Sequence, residues 1–277
     1  TARAYASSLR SMQRYLGKKD FPFIKLSSRI ISDYQGKLLA SGICDNTIGF
    51  YLHNIKALFR KGCREMGLEL PCPFRDISIK TEKTLKRSLD PVVIKTLSAI
   101  ELEKDSPLSL ARDIFMFSFY TRGMSFVDIA LLKKRHVFPG EICYRRHKTD
   151  QLMRVGINKE ISRILERYKN VPGEYIFPLF PAERDPYAGY RSAYHRIRYS
   201  LGKISRVIGL EFPLRLHAAR HSWATIAKVN GASVHVIGEC LGHTSEKTTR
   251  IYLKELDHSA LDAVNNQVAD FILAVDD

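Results

Sequence analysis

The sequence predicts a mainly α-helical protein with a small antiparallel β-sheet, arranged as a helical domain followed by an α+β domain. Three observations carry this. Apolar residues recur at three- and four-residue spacing through most of the chain, as in Ile48, Tyr51, Leu52, Ile55, Leu58 and Phe59. One segment alone, 141–157, changes habit: Ile142 and Tyr144, then Met153, Val155 and Ile157, alternate on either side of Thr149-Asp150-Gln151, which is the pattern of a hairpin. Between the two parts, Pro71 and Pro73 break the helical rhythm and open a polar stretch. A length of 277 residues suits two ordinary domains. The expected division is 1–72, a basic linker over 73–89, and 90–277.

Taken in order, Ala2 to Leu16 reads as the first helix, and Ser27-Ser28 as the cap of a second that carries Ile30, Ile31, Tyr34 and Leu38. A third helix is expected after Asp45-Asn46-Thr47, three good capping residues, and runs to about Met66. Its polar face holds His53, Asn54, Lys56, Arg60, Lys61 and Arg64. After the linker, Asp90-Pro91 is a cap followed by a first-turn proline. Ala111 to Tyr120 is a buried helix, the hairpin follows, and Ile161 to Tyr168 is a short helix ended by Val171-Pro172-Gly173. Phe177 to Pro186 is loop, and Tyr190 to Gly209 is an arginine-rich helix. Leu216 to Val229 is a helix ended by Asn230-Gly231, and Val234 to Leu241 and Ser245 to Tyr252 are short helices. Beyond it, Leu256, Leu261, Val264, Val268, Phe271 and Ile272 form an apolar stripe at helical spacing, fit to pack on its own domain or on a neighbouring protomer.

Charge narrows the partner. Lys and Arg number 44 against 29 Asp and Glu, a formal charge of +15. Such an excess calls for a polyanion, nucleic acid first and an anionic membrane second. No apolar run has the length of a bilayer span and no signal-peptide pattern opens the sequence, so no membrane is expected. The five cysteines are scattered with no Cys-x-x-Cys pair, which disfavours a zinc module and fits reduced thiols in a bacterial cytoplasm. Basic residues at Thr47-to-Arg60 of the third helix and in the linker, namely Lys56, Arg60, Lys83, Lys86 and Arg87, with Thr47 and Asn54 beside them, are candidates to follow a phosphate backbone; a solvated surface is the alternative.

Two motifs carry chemistry. In Leu216-His217-Ala218-Ala219-Arg220-His221 the residues His217 and Arg220 share a helix face. An arginine fork suits two phosphate oxygens, and a histidine beside it can move a proton. His217 and His221 are spaced to bind zinc, but the Glu that a metalloprotease helix carries after its first His is absent, and no metal or other cofactor is expected. Downstream, Leu241-Gly242-His243-Thr244-Ser245 places His243 in a turn at a helix start, and Tyr252 follows nine positions later. Basic groups ahead of a tyrosine match what phosphodiester cleavage needs. Charge on the phosphorane must be met, the leaving oxygen needs a proton, and a covalent intermediate keeps the bond energy for resealing.

The order His217-x-x-Arg220, Leu-Gly-His243, Tyr252 resembles the signature of the tyrosine recombinases and phage integrases. The resemblance covers nearly the whole chain. The first domain is similar to that family's core-binding domain and residues from Asp90 onward to its catalytic domain. The stretch Tyr120-Thr121-Arg122-Gly123-Met124-Ser125-Phe126-Val127-Asp128 resembles integrases of Bacteroides-type mobile elements. The resemblance implies that Tyr252 attacks the scissile phosphate and becomes a 3′-phosphotyrosine. Arg220 and His243 would bind its oxygens, His217 would assist proton handling, and Lys148 in the hairpin would protonate the leaving 5′ oxygen. Arg146 and His147 compete with Lys148 for that part. The family's first arginine is missing from its usual slot, where an ungapped alignment puts Ser125. Arg122, three positions earlier, is expected to take its place, with Asp128 orienting it; the alternative is a structural Arg122 and another basic residue in the pocket. The implied activity is site-specific exchange of duplex DNA at attachment sites, by a homotetramer on synapsed DNA assembled from protomers that are monomeric when free. The rivals are a type IB topoisomerase-like relaxing enzyme and a catalytically inactive DNA-binding regulator.

Overall fold

The computed structural model describes residues 2–80, 82, 88–180, 186–243 and 245–253. The chain falls into two compact units, 1–84 and 85–277.

The first unit is built from α1 (Ala2–Leu16), α2 (Ser28–Ala40) and α3 (Asp45–Glu65). Ser27 caps α2 as the sequence predicts, its side chain accepting from the Ile30 amide. The start of α3 differs from expectation. Asp45 is already helical, Cys44 is the capping residue and its side chain makes no capping bond to the backbone, and the three expected caps are in the first turn. There the Asp45 carboxylate meets the positive end of the helix, while the Asn46 amide is engaged with the backbone of Glu82 in both directions, at 2.9 and 3.0 Å. Met12, Ile31, Tyr34, Leu38, Ile48, Leu52, Ile55 and Phe59 form the core, and Phe74 joins them at 1% exposure. The Tyr34 hydroxyl, fully buried, donates to Ser11 Oγ at 2.7 Å, which satisfies its polar tip.

In the second unit, α4 (Pro91–Ala99) and α5 (Pro107–Tyr120) lead to the short α6 (Phe126–Ala130). A three-stranded antiparallel sheet follows: β1 (Val137–Phe138), β2 (Glu141–Arg145) and β3 (Leu152–Gly156), in that order. Next come α7 (Lys159–Arg167), α8 (Pro186–Val207), α9 (Leu216–Val229), α10 (Val234–Leu241) and α11 (Glu246–Leu253). Asp90 caps α4 and Ser106 caps α5, each followed by a first-turn proline. Helix α5 is the core of this unit: Ile114, Phe115 and Phe117 are fully buried, and it packs on α4, α7, α8 and α9. The hairpin register pairs Ile142 with Val155 and Tyr144 with Met153, and all four side chains face inward. Strand β1 and helix α6, two and five residues long, are additions to the sequence expectation.

One buried charge braces this unit. Asp113 on α5 is almost without exposure, and its oxygens take Arg112 Nε at 2.6 Å, the Tyr168 hydroxyl at 2.9 Å and a guanidinium nitrogen of Arg167. Three donors on one carboxylate repay its removal from water. Leu89 belongs to the same core, and its amide donates to Ser222 Oγ of α9 at 2.8 Å. Among the described residues no helix is long and apolar enough to cross a membrane.

Candidate active site

Arg220 stands at the centre. On α9 the small residues Ala218 and Ala219 are buried, and so is Arg220, at 6% exposure. A guanidinium keeps its charge at any ordinary pH, so burial obliges it to find acceptors. Its Nη1 donates to the Gly123 carbonyl at 2.9 Å. Its Nη2 reaches the Leu241 carbonyl at 2.5 Å and His243 Nε2 at 3.1 Å. The first contact requires a glycine. Gly123 has φ +76°, and a Cβ built there would lie 2.5 Å from Arg220 Cγ and 2.9 Å from its Cα. The loop after α5 can touch α9 this closely only without a side chain at that position.

His243 is placed by the end of α10. Gly242 takes the left-handed conformation at φ 61°, and the amides of Gly242 and His243 return to the carbonyls of Glu239 and Gly238, both at 3.0 Å. The next ring is thereby directed at Arg220. Since arginine only donates, His243 Nε2 is an acceptor, and Nδ1 carries the hydrogen and donates to Thr249 Oγ1 at 3.0 Å. Burial, then the positive charges of Arg220, Arg146 and Lys148, lower the His243 pKa to about 4. The ring is neutral at pH 7. Helix α11 lies close against α10 because Gly238 faces Thr249, whose Oγ1 would be 2.8 Å from any added Cβ. Ala224, Ile237, Leu241 and Leu253 form a small core beneath these helices. Leu253 fixes the end of α11, and the backbone of Tyr252 immediately precedes it; the Tyr252 side chain lies outside the described part of the structure.

The hairpin turn forms the third side. The Arg146 amide donates to the Gln151 carbonyl at 2.9 Å, and the Arg146 carbonyl accepts from Asp150 at 2.8 Å. Asp150 absorbs the reversal with a left-handed φ of 55°. Asp128, buried on α6, holds this turn: Oδ1 accepts from the His147 amide at 2.8 Å, and Oδ2 from Ser125 Oγ at 2.6 Å. Ser125 in turn caps α6. Lys148 and His147 are exposed, whereas Arg146 is half-buried and donates to the Gly242 carbonyl. Burial and the Asp128 carboxylate raise the Tyr144 hydroxyl far above its ordinary value, against the pull of Arg146, Arg220 and Arg122.

Of the residues singled out in the sequence, Arg220 and His243 are in contact, and Lys148 is near enough for its charge to act on His243. His217 is exposed on α9, its ring set edge-on 4.5 Å from the buried His221. Arg122, left-handed at φ 60°, directs Nη1 to the Arg154 carbonyl of β3 at 3.4 Å. Asp128 is committed to Ser125 and to the turn, and makes no bond to Arg122. On α3, Arg60 is exposed and Lys56 partly so, while the Asn54 amide is turned onto Ser8 of α1 at 3.0 Å and Thr47 Oγ1 lies 3.2 Å from Cys44 Sγ. Asn54 therefore joins two helices within the first unit. Lys83, Lys86, Arg87, and the apolar stripe after Leu253 lie outside the described residues. No local pattern marks the Gly123–Arg220 approach or the grip of Asp128 on the turn, and by sequence Arg146 stands out only as a competitor of Lys148. The one available signal was the crowding of Arg145-Arg146-His147-Lys148 at a single turn.

Known proteins are similar to this chain in sequence and fold. The tyrosine recombinase XerC of Shewanella oneidensis is 26% identical over 226 residues, covering 78% of this chain and 70% of that protein. The tyrosine recombinase XerD of Pseudomonas putida is 24% identical over 260 residues, covering 91% and 85%. Among solved structures, the XerH recombinase bound to a palindromic difH substrate superposes with a TM-score of 0.70 at 17% identity, over 95% of this chain and 78% of that one. The Tn1549 transposon integrase in complex with transposon right end DNA gives 0.68 at 15%, over 96% and 98%. The phage integrase SAM-like domain matches residues 1–75, and the phage integrase family matches residues 88–258. This chain belongs to the phage integrase family of tyrosine recombinases.

Proposed function

We propose that the protein is a site-specific recombinase that cuts and rejoins duplex DNA through a phosphotyrosine at Tyr252. The observation that carries the reading is the meeting of Arg220, His243 and the Lys148 turn around the end of α10, one short helix ahead of Tyr252. In the reaction, the Tyr252 oxygen attacks phosphorus as the bond to the 5′ oxygen breaks. The 3′ end is left on the tyrosine, and the 5′ oxygen takes a proton from Lys148. Arg220 and His243 meet charge on the phosphorane oxygens, and a second guanidinium shares that work. His217 assists the proton that leaves Tyr252. Attack by the 5′ hydroxyl of another strand reverses each step, so no nucleotide or metal enters the scheme.

The net charge of +15 supports duplex DNA as the partner, with Arg60 and Lys56 of α3, and Lys83, Lys86 and Arg87, following its backbone. One tyrosine per protomer makes exchange of two duplexes the work of four chains, monomeric before they meet DNA. The place of action is the DNA of a bacterial cytoplasm, with a mobile element as the setting of the gene. Incubation with two plasmids that carry candidate attachment sites tests this against plain relaxation. Recombinant junctions that require both sites support the proposal. Relaxation of site-free plasmid at the same rate, without junctions, would place the chain with the relaxing enzymes instead.

A further inference from the structure

We propose that Arg146, at the start of the hairpin turn, is the second phosphate-binding guanidinium of the site, filling the place left open by Ser125. The proposal rests on the strand-transfer reading and names a further residue for it. Arg220 and Arg146 bond to consecutive carbonyls at the end of α10. Arg220 Nη2 reaches Leu241 O at 2.5 Å, and Arg146 Nη1 reaches Gly242 O. The next residue is His243, which Arg220 also holds. The two forks therefore flank one turn. The Arg146 stem is close-packed as well, with Cδ 3.3 Å from where a Gly242 Cβ would stand.

The base of this side chain is fixed. Three backbone bonds close the turn on Arg146: its amide to Gln151 O at 2.9 Å, and its carbonyl from Thr149 at 3.3 Å and Asp150 at 2.8 Å. Asp128 secures the following amide. A fixed donor costs no reorganisation when charge develops, which is what transition-state stabilisation demands. Donors are also in supply. A guanidinium has five N–H groups, and Gly242 O is the single side-chain hydrogen-bond partner of Arg146 among the described residues. The charge of Arg146, with those of Arg220 and Lys148, is what burial leaves to act on His243. Arg122 is not among the groups acting there. Its Nη1 donates to the Arg154 carbonyl of β3 at 3.4 Å.

The competing role is a brace that ties the hairpin to α10, and the test separates the two. The chain and its variants are incubated with nicked duplexes drawn from DNA flanking its own gene, made with either a normal scissile phosphate or a methylphosphonate, which lacks one negative charge. Single-turnover formation of the protein–DNA adduct is measured beside DNA affinity and thermal melting. Arg146→Ala is expected to slow adduct formation on the normal phosphate by about 100- to 1,000-fold, with affinity within a few-fold. On the methylphosphonate it should come within about tenfold of the unaltered chain, since the charge it served is gone. Arg146→Lys, which can still reach Gly242 O, should remain at least about tenfold slow because one ammonium cannot replace a fork. Arg122→Ala should stay within about tenfold of normal. An Arg146→Ala protein that is equally slow on both substrates, or an Arg146→Lys protein at full rate, would leave Arg146 a brace and overturn the proposal. So would a normal rate for Arg146→Ala beside a crippled Arg122→Ala. Failure of the unaltered chain to form an adduct on either substrate would overturn the strand-transfer reading beneath it.

Discussion

Replacing Gly123 by alanine tests whether the loop after α5 is built around Arg220. Two separate costs can be worked out. The left-handed φ of +76° costs an L-residue about 1 kcal/mol. The new Cβ would lie 2.5 Å from Arg220 Cγ, 2.8 Å from its Cβ and 2.9 Å from its Cα. The last of these belongs to the helix backbone and cannot swing aside. Overpacking of this kind costs roughly 1–3 kcal/mol. If the loop lifts away instead, it gives up the bond from Arg220 Nη1 to Gly123 O, and a bond from a charged donor contributes about 1.5–3 kcal/mol. Either route brings the loss to about 2–4 kcal/mol. Gly140 supplies the control: its φ is +83°, yet nothing lies within 4 Å of an added Cβ, so Gly140→Ala should lose only about 1 kcal/mol. The assay is urea unfolding followed by the fluorescence of Trp223, the single tryptophan, three residues from Arg220 on α9. Adduct formation should fall with stability in Gly123→Ala, because Arg220 and His243 lose a neighbour that orients them. Equal losses for the two alanine variants would refute the argument from close approach.

Asp113→Asn should destabilise the second unit by about 3 kcal/mol, read by the same fluorescence, because Arg112 is left partly buried without its counter-charge; a loss below about 1 kcal/mol would mean the cluster is only a surface feature. His243 titrates lower in the fold, about 4, than its ordinary 6.5 in the unfolded chain. The unfolded state thus takes up the proton first as pH falls, so stability drops from about pH 6.5 toward 4, and His243→Gln should flatten this part of the curve. A slope unchanged by the substitution would assign it to other groups. Affinity for nonspecific duplex should fall steeply with salt, because each phosphate neutralised releases counterions; a flat log–log plot would contradict a basic DNA-binding surface.

Much of the fold was legible in the sequence, for identifiable reasons. Helices α1, α9 and α10 begin and end where the spacing places them, since their ends are marked by Gly17, Asn230-Gly231 and Gly242. The start of α3 shifted because Asp45, Asn46 and Thr47 are all plausible caps and tertiary contact decided among them, Asn46 being drawn to Glu82. Helix α6 is too short to show a period, and Ser125 and Asp128 are its cap and its buried acid. The serine in the family's arginine slot thus has a structural task of its own. His217, Arg220 and His243 could be picked out as chemical types at a known spacing. The approach of Gly123 to Arg220 and the reach of Arg146 to Gly242 join residues nearly a hundred positions apart, and no local pattern reports such contacts.

The measurement closest to the central claim is capture of the covalent intermediate and location of its bond. A nicked duplex lets the short strand released at cleavage diffuse away, so the enzyme remains joined to DNA. After digestion, mass spectrometry of the adduct should find a nucleotide phosphate on the peptide that contains Tyr252. Tyr252→Phe should bind the same duplex with unchanged affinity and give no adduct. An adduct of normal yield from Tyr252→Phe, or one mapped to a serine or another tyrosine, would contradict the account.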